Sequence, residues 1–243
     1  MSVLDGLDLA SPGGVLAARA RVEHATQAAA ERELRAFLGT VAEAAAAGVL
    51  SWAVVEEAWA AVAGAVVAAG AARAGLAEGG QAAGWLRELA SGSGVPVAVF
   101  DTVSVVLAAG AAAGWDAGRV RDELAAALDP DSGPVQPGTD GLPVRVGAEW
   151  DTGTGGLSRS VATAAVGAGV AALLAARGGG WMAWVTRRDD RVRATHAAAD
   201  GQRVPVGGRF VVGGWAMSYP GDPAGPVWET AGCRCVVVTT RAP

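Results

Sequence analysis

Lysine is absent from this chain of 243 residues, so its 19 Lys-or-Arg positions are all arginine. Cysteine is almost absent: Cys233 and Cys235 are the only two. So small a count excludes a secreted scaffold built on disulfides and fits a reducing compartment. Histidine is equally scarce, with only His24 and His196, which leaves two candidates for a histidine general base. Aromatic residues make up just 5%. Charge excess is also small, at -5, which argues against a general nucleic-acid binder and leaves only local basic patches. Met1 to Leu9 holds two aspartates and no basic cluster before an apolar run, so no signal peptide is expected there. Ser160 to Ala176, between Arg159 and Arg177, lies at the short edge of the ~17–25 residues a membrane span needs. It is mostly Ala, Gly and Val, and a buried helix is the expectation.

What is present is apolar but small. Hydrophobic residues reach 51%, dominated by alanine and valine, with 36 glycines besides. At about 25 cal/mol per Å² of buried apolar area, each alanine contributes little. Long, closely approaching helices are expected, with stability that draws on a partner surface.

The spacing of Leu16, Val22, Leu34, Phe37, Leu38 and Val41 predicts a helix from Val15 to about Gly48. Ser51 is a candidate N-cap for a second helix with Val54, Val55, Ala58, Trp59 and Val62 inward, running to Gly75 or beyond. Gln81 to Ala90 continues in helical style until Ser91-Gly92-Ser93-Gly94 breaks it. Val97 to Gly114 reads equally as helix or strand, and Asp116 opens a helix with Val120, Leu124 and Leu128 inward. Asp129 to Pro143, with four prolines and three glycines, is the linker candidate. Beyond it, Val144 to Trp150 suggests a short strand. A helix from Leu157 to Arg177 is ended by Gly178-Gly179-Gly180. Trp181 to Thr186 then reads as a strand. Asp189 is expected to cap a helix over Asp190 to Ala199, closed by Asp200-Gly201. Arg203 to Val206, Phe210 to Val212 and Cys233 to Thr240 complete the expected strands. The expected fold class is α+β: an Ala-rich helical N-terminal domain (1-128), a Pro/Gly linker (129-143) and a small α+β domain (144-243). No internal repeat is visible.

The chemistry-bearing residues lie between Trp184 and Cys235. Asp189, Arg193, His196 and Asp200 would share one face of a helix, with Asp189 and Arg193 able to pair at i, i+4. In a strand, Cys233 and Cys235 would point to the same side with Arg234 opposite. Both thiols could then converge on His196 and one carboxylate, a structural zinc site whose fourth ligand the sequence does not identify. The favoured reading is plainer: the cysteines are small buried apolar residues and His196 makes one hydrogen bond. Arg187, Arg188, Arg191 and Arg193 form the densest basic cluster, either a contact for DNA phosphates or an acidic partner, or, the favoured reading, a solvated face partly neutralised by Asp189 and Asp190. Trp52, Trp59, Trp85 and Trp115 are expected to anchor helix packing, and Trp215 and Trp228 are the better interface candidates.

Taken in order, Trp184, the D-x-R-x-R-x-x-H series Asp189, Arg191, Arg193 and His196, and the turn Asp200-Gly201 come first. The turn Tyr219-Pro220-Gly221-Asp222-Pro223 follows, and then Glu229-Thr230-Ala231-Gly232-Cys233-Arg234-Cys235. This series resembles the signature of the phage Mu F-like head-morphogenesis proteins over about the last 60 residues. Two positions depart from it: Gly232 stands where the family has asparagine, and Thr163 is followed by Ala164 rather than glutamate. The resemblance implies a minor head protein of a tailed bacteriophage, a structural and assembly component without catalytic residues or a required cofactor. It further implies a virion-interior location after assembly in the host cytoplasm. The implied partners are the portal or major capsid protein, with packaged DNA as a further contact and no membrane.

An enzyme reading, a capsid maturation protease, would need His196 as base and Ser218 or one cysteine as nucleophile, but no G-x-S-x-G elbow is present. A toxin or nuclease would need chain beyond the C-R-C strand, and the sequence stops at Pro243.

Overall fold

A computed structural model describes residues 2–77, 95–129, 135–137, 143–145 and 151–243. It is α+β, as expected: long helices dominate the N-terminal half, and small antiparallel sheets lie in the C-terminal part. Two compact units emerge: Met1–Ala28 with Val66–Ala90 and Gly156–Pro243, and Ala29–Ala65 with Ser91–Gly155. This partition interleaves chain segments, whereas the sequence reading was sequential. Trp85, 81–90 and 91–94 lie outside the described residues, as does most of 129–143.

The long helices follow local rules. α1 (Pro12–Ala46) opens on proline, whose missing N–H costs nothing at a helix start, and Ser11 Oγ accepts a hydrogen bond from Gly14 N at 3.3 Å. It ends where Gly48 takes φ +71° and Val49 N reaches back to Ala44 O at 3.0 Å. α2 (Trp52–Ala74) begins with Ser51 Oγ accepting from Val54 N at 3.4 Å. α3 (Val95–Ala113) resolves the Val-rich ambiguity: Val95, Val99, Val103, Val106 and Gly110 are buried, a helical rather than an alternating period. Asp116 caps α4 (Ala117–Ala127) by accepting from Arg119 N at 2.8 Å.

In the second unit Phe37 meets Trp59 edge-on, with centroids 5.3 Å apart, and Trp52 meets Phe100 at 5.8 Å. Trp115 lies under the Arg119 guanidinium at 4.7 Å. β1 (Val135–Pro137), inside the stretch expected to be a linker, pairs antiparallel with β2 (Pro143–Arg145), which overlaps the start of the strand expected from Val144.

α5 (Asp151–Ala176) starts six residues before the expected Leu157, and from Gly156 onward it belongs to the first unit. Extending an existing helix avoids a new nucleation cost, so the Gly/Thr run is drawn in. Among the described residues three helices are apolar and long enough to cross a membrane by length and composition, α2, α3 and Gly155–Ala176; the sequence points only to the last. Two thirds of that window (67%) is buried within the protein, which makes it a core helix here. The same unit holds a three-stranded sheet in the order β4-β3-β7: β3 (Trp181–Val185) is central, β4 (Arg203–Pro205) and β7 (Val236–Thr240) flank it, and both pairings are antiparallel. A hairpin of β5 (Phe210–Val212) and β6 (Trp215–Met217) pairs Phe210 with Met217, both fully buried. Two short helices complete the unit: α6 (Ala194–Ala199) and α7 (Val227–Thr230). β6 and α7 were not anticipated from the sequence.

Glycines in α5 set how closely its neighbours approach. A Cβ on Gly169 would stand 2.8 Å from both Ala74 O and Leu4 Cδ1. Gly169→Ala is therefore expected to destabilise by about 1–3 kcal/mol despite its better helix propensity. Gly39→Ala, on an exposed part of α1 with nothing within 4 Å, is expected to stabilise by about 0.5–1 kcal/mol. Urea midpoints of the two variants against the parent decide this; equal shifts of the same sign would refute the packing argument.

Candidate functional site

Trp184, on the central strand, is fully buried and organises what surrounds it. Its ring meets the His196 imidazole at 5.7 Å and Phe210 at 5.4 Å, both edge-on. Beyond β3 the chain turns through residues 187–193 before α6 begins at Ala194. The helix expected from Asp190 is thus shortened to its last six residues, and Asp189 is no N-cap. The cause is long-range. Asp189 takes a bidentate pair from Arg234, one bond at 2.8 Å, and Arg193 reaches Ala231 O at 2.6 Å, so neither pairs with the other along a helix. Arg188 sits at φ +54°, a left-handed conformation costly for a non-glycine residue, and its Nε donates to Asp200 Oδ2 at 3.0 Å.

Asp200 closes the segment on itself. Its Oδ1 accepts from Thr186 N at 2.8 Å and Thr186 Oγ1 at 3.1 Å, and Gly201 N donates to Trp184 O at 2.8 Å. Burial alone would raise the Asp200 carboxyl, but the Thr186 and Arg188 hydrogen bonds outweigh it and hold the acid below its ordinary value of 3.8. Asp189 is held low chiefly by its hydrogen bonds from Arg234. The basic cluster is therefore partly structural: all four arginines are exposed, and Arg188 and Arg193 also bond Asp200 and Ala231 O.

His196 is where two distant stretches meet. Nδ1 lies 3.4 Å from Cys235 Sγ and 3.5 Å from Cys233 Sγ, and Nε2 lies 3.0 Å from Glu229 Oε2. Thr195 Oγ1 donates to the same carboxylate oxygen at 2.9 Å. Gly213 leaves room for Glu229, since a Cβ there would collide with Oε1. The imidazole and both sulfurs are at most 3% exposed. All three donor atoms lie within 4.8 Å of one another, so this trio could hold a metal ion. Burial works against protonation of His196, but the Cys233 hydrogen bond and the charges of Cys233 and Glu229 raise its pKa overall. Within the thiol pair, hydrogen bonding from Cys235 lowers Cys233 well below the ordinary thiol range and thereby raises Cys235. The Trp184 indole Nε1 is buried without a close hydrogen-bond partner, and its N–H acts on Cys235 in the direction that favours a thiolate.

Cys233 and Cys235 were expected inside a strand, but β7 starts only at Val236, because its partner β3 ends at Val185. Residues 232–235 are shaped instead by α5. Gly232 takes φ +62°, a conformation glycine and asparagine both tolerate, and its N–H donates to Ser160 Oγ at 3.0 Å. Thr163 Oγ1 donates to Cys233 O at 2.7 Å and accepts from Arg19 Nη1 at 3.2 Å. One and two turns beyond Ser160 on the same helix, Ala164 and Gly167 meet the Tyr219–Pro223 turn. Gly221, at φ +80°, lies against Ala164 N, and a Cβ on Gly167 would be 2.9 Å from Tyr219 Cβ. Asp222 fastens this turn through Ser218 N at 2.6 Å and Ala224 N at 2.9 Å. The contacts of this turn run to α5 rather than to His196.

Sequence reasoning missed Ser160, Arg19, Thr195 and Gly213, and marked Thr163 only as a point of comparison with the family; a buried-polar signal on an otherwise Ala/Val helix was the available clue for Ser160 and Thr163. Trp215 and Trp228 are 45% and 63% exposed and touch each other edge-on at 6.4 Å. No family model, curated protein or solved structure matches the chain.

Two outcomes are expected. Thr163→Val strips the partner from Cys233 O and Arg19 Nη1, and should cost about 1–3 kcal/mol in urea unfolding; Thr40→Val, whose Oγ1 is exposed, should cost less than that. Asp200 has a depressed folded-state pKa, so its contribution is present above the ordinary carboxylate value and lost as pH falls through the depressed one. Stability measured from about pH 5 down to pH 2 should therefore fall more steeply in the parent than in Asp200→Asn; parallel curves would remove Asp200 from the acid response.

Proposed function

We propose that this chain is a minor head protein of a tailed bacteriophage, of the Mu F-like type, acting in head assembly and DNA packaging or delivery from a position at the portal. The observation that carries the reading is mutual bonding between two separated stretches of the signature. Asp189 bonds Arg234, Arg193 bonds Ala231 O, and His196 meets Glu229, Cys233 and Cys235. Residues that recur for a shared fold are expected to hold one another in this way. Gly232 also holds φ +62°, a conformation that asparagine tolerates better than most residues.

The same geometry disfavours the protease alternative. Both ring nitrogens of His196 are engaged by sulfur and carboxylate, which leaves none to activate Ser218. The cysteines are 1% and 3% exposed, buried from any peptide bond. His24 is exposed on α1. As for partners, the exposed Trp215–Trp228 pair has the chemistry of a protein contact.

Reconstruction of the complete particle whose genome encodes this chain tests the reading. Density for a few copies beside the portal, inside DNA-filled heads, is the expected result. A chain present in immature heads and missing from mature ones would instead favour a processing factor.

A further inference from the structure

We propose that His196 Nδ1, Cys233 Sγ and Cys235 Sγ bind one zinc ion, with a water molecule as fourth ligand. This inference stands apart from the assembly reading and does not depend on it.

Three observations lead to the ion. The first is distance. Zinc bonds of about 2.3 Å to sulfur and 2.0–2.1 Å to nitrogen, in a tetrahedron, place those donors about 3.6 Å apart. The two nitrogen–sulfur separations here are 3.4 and 3.5 Å. A single N–H has one proton to aim at one acceptor; two sulfurs almost equidistant from one ring nitrogen is the arrangement a shared ion produces. The second is the far side of the ring. Nε2 faces the Glu229 carboxylate at 3.0 Å, and Thr195 holds that carboxylate in turn. A metal-binding histidine commonly donates its other N–H to a carboxylate, which fixes the tautomer and turns the bare lone pair toward the metal. The third is space. A cavity of about 20 Å³ adjoins the three donors, lined also by Val192, Gly232 and arginine side chains. It holds roughly one water, enough to complete a coordination shell and too little for an organic substrate.

The donor set selects the metal. Two thiolates and an imidazole favour zinc over magnesium or calcium, which prefer oxygen ligands. On binding, each thiol releases its proton to solvent as its sulfur–metal bond forms. The ion would tie α6 to the segment before β7 across 37 and 39 residues of chain.

Cobalt titration of the metal-free full chain is the test. One Co²⁺ per chain should give the visible bands of a tetrahedral centre and a thiolate charge-transfer band, both abolished by adding Zn²⁺. Cys233→Ser and Cys235→Ser should each weaken the charge-transfer band, and the double variant should lose it. Glu229→Gln should keep the spectrum with affinity lowered about 10–100-fold. Zinc should also slow alkylation of both cysteines in the parent chain. The proposal is overturned if the folded parent binds no Co²⁺, if its spectrum is octahedral, if the spectrum persists in the double variant, or if zinc leaves alkylation unchanged.

Discussion

His196 has two ring nitrogens, and the C-terminal module depends on both being claimed by the same distant segment. One faces the sulfurs of Cys233 and Cys235, the other the carboxylate of Glu229. The elements it joins are too short to hold themselves. α6 has six residues, α7 four, and β4, β5 and β6 three each. Helices of that length are unstable alone, and three-residue strands add few ladder bonds. Side-chain bonds therefore set this part of the fold, with Trp184 supplying the apolar wall on which imidazole and hairpin converge.

α5 gives that network a floor. Its Ser160, Thr163, Ala164 and Gly167 lie along one face at helical spacing; the first two hold residues 232 and 233, the last two seat the Tyr219–Pro223 turn. Small side chains permit the approach, and the two hydroxyls supply the bonds that alanine cannot. An alanine-rich helix contributes little transfer energy per residue, so a few buried polar contacts carry a larger share of specificity than they would beneath a Leu/Phe core.

Arginine does structural work throughout the module. Arg19 bonds a buried threonine, Arg188 an aspartate that closes a loop, Arg193 a backbone carbonyl and Arg234 a carboxylate in bidentate fashion. A planar fork with several donors suits these tasks, and the point charge of lysine suits them less well. Arg188 and Arg193 are exposed as well as bonded, and Arg187, Arg191 and the aromatic pair Trp215–Trp228 are exposed too.

Local rules in the sequence determined the long elements: Ser51 and Asp116 as caps, Gly48 as a stop, the helical period of α1, and the strands at 181–185, 203–205 and 210–212. They also singled out His196, Cys233 and Cys235, because rare chemistry-bearing types stand out in an alanine and valine background. Tertiary structure alone decided the rest. Asp189 and Arg193 fit a helix by spacing, yet their partners, Arg234 and Ala231, lie about 40 residues away, and a bidentate ion pair there outweighs a weak i, i+4 contact. Residues 233–235 look like strand, but a strand extends only as far as its neighbour, and β3 stops at Val185. Glu229 and Thr163 join the site through long-range bonds, for which one-dimensional spacing holds no signal.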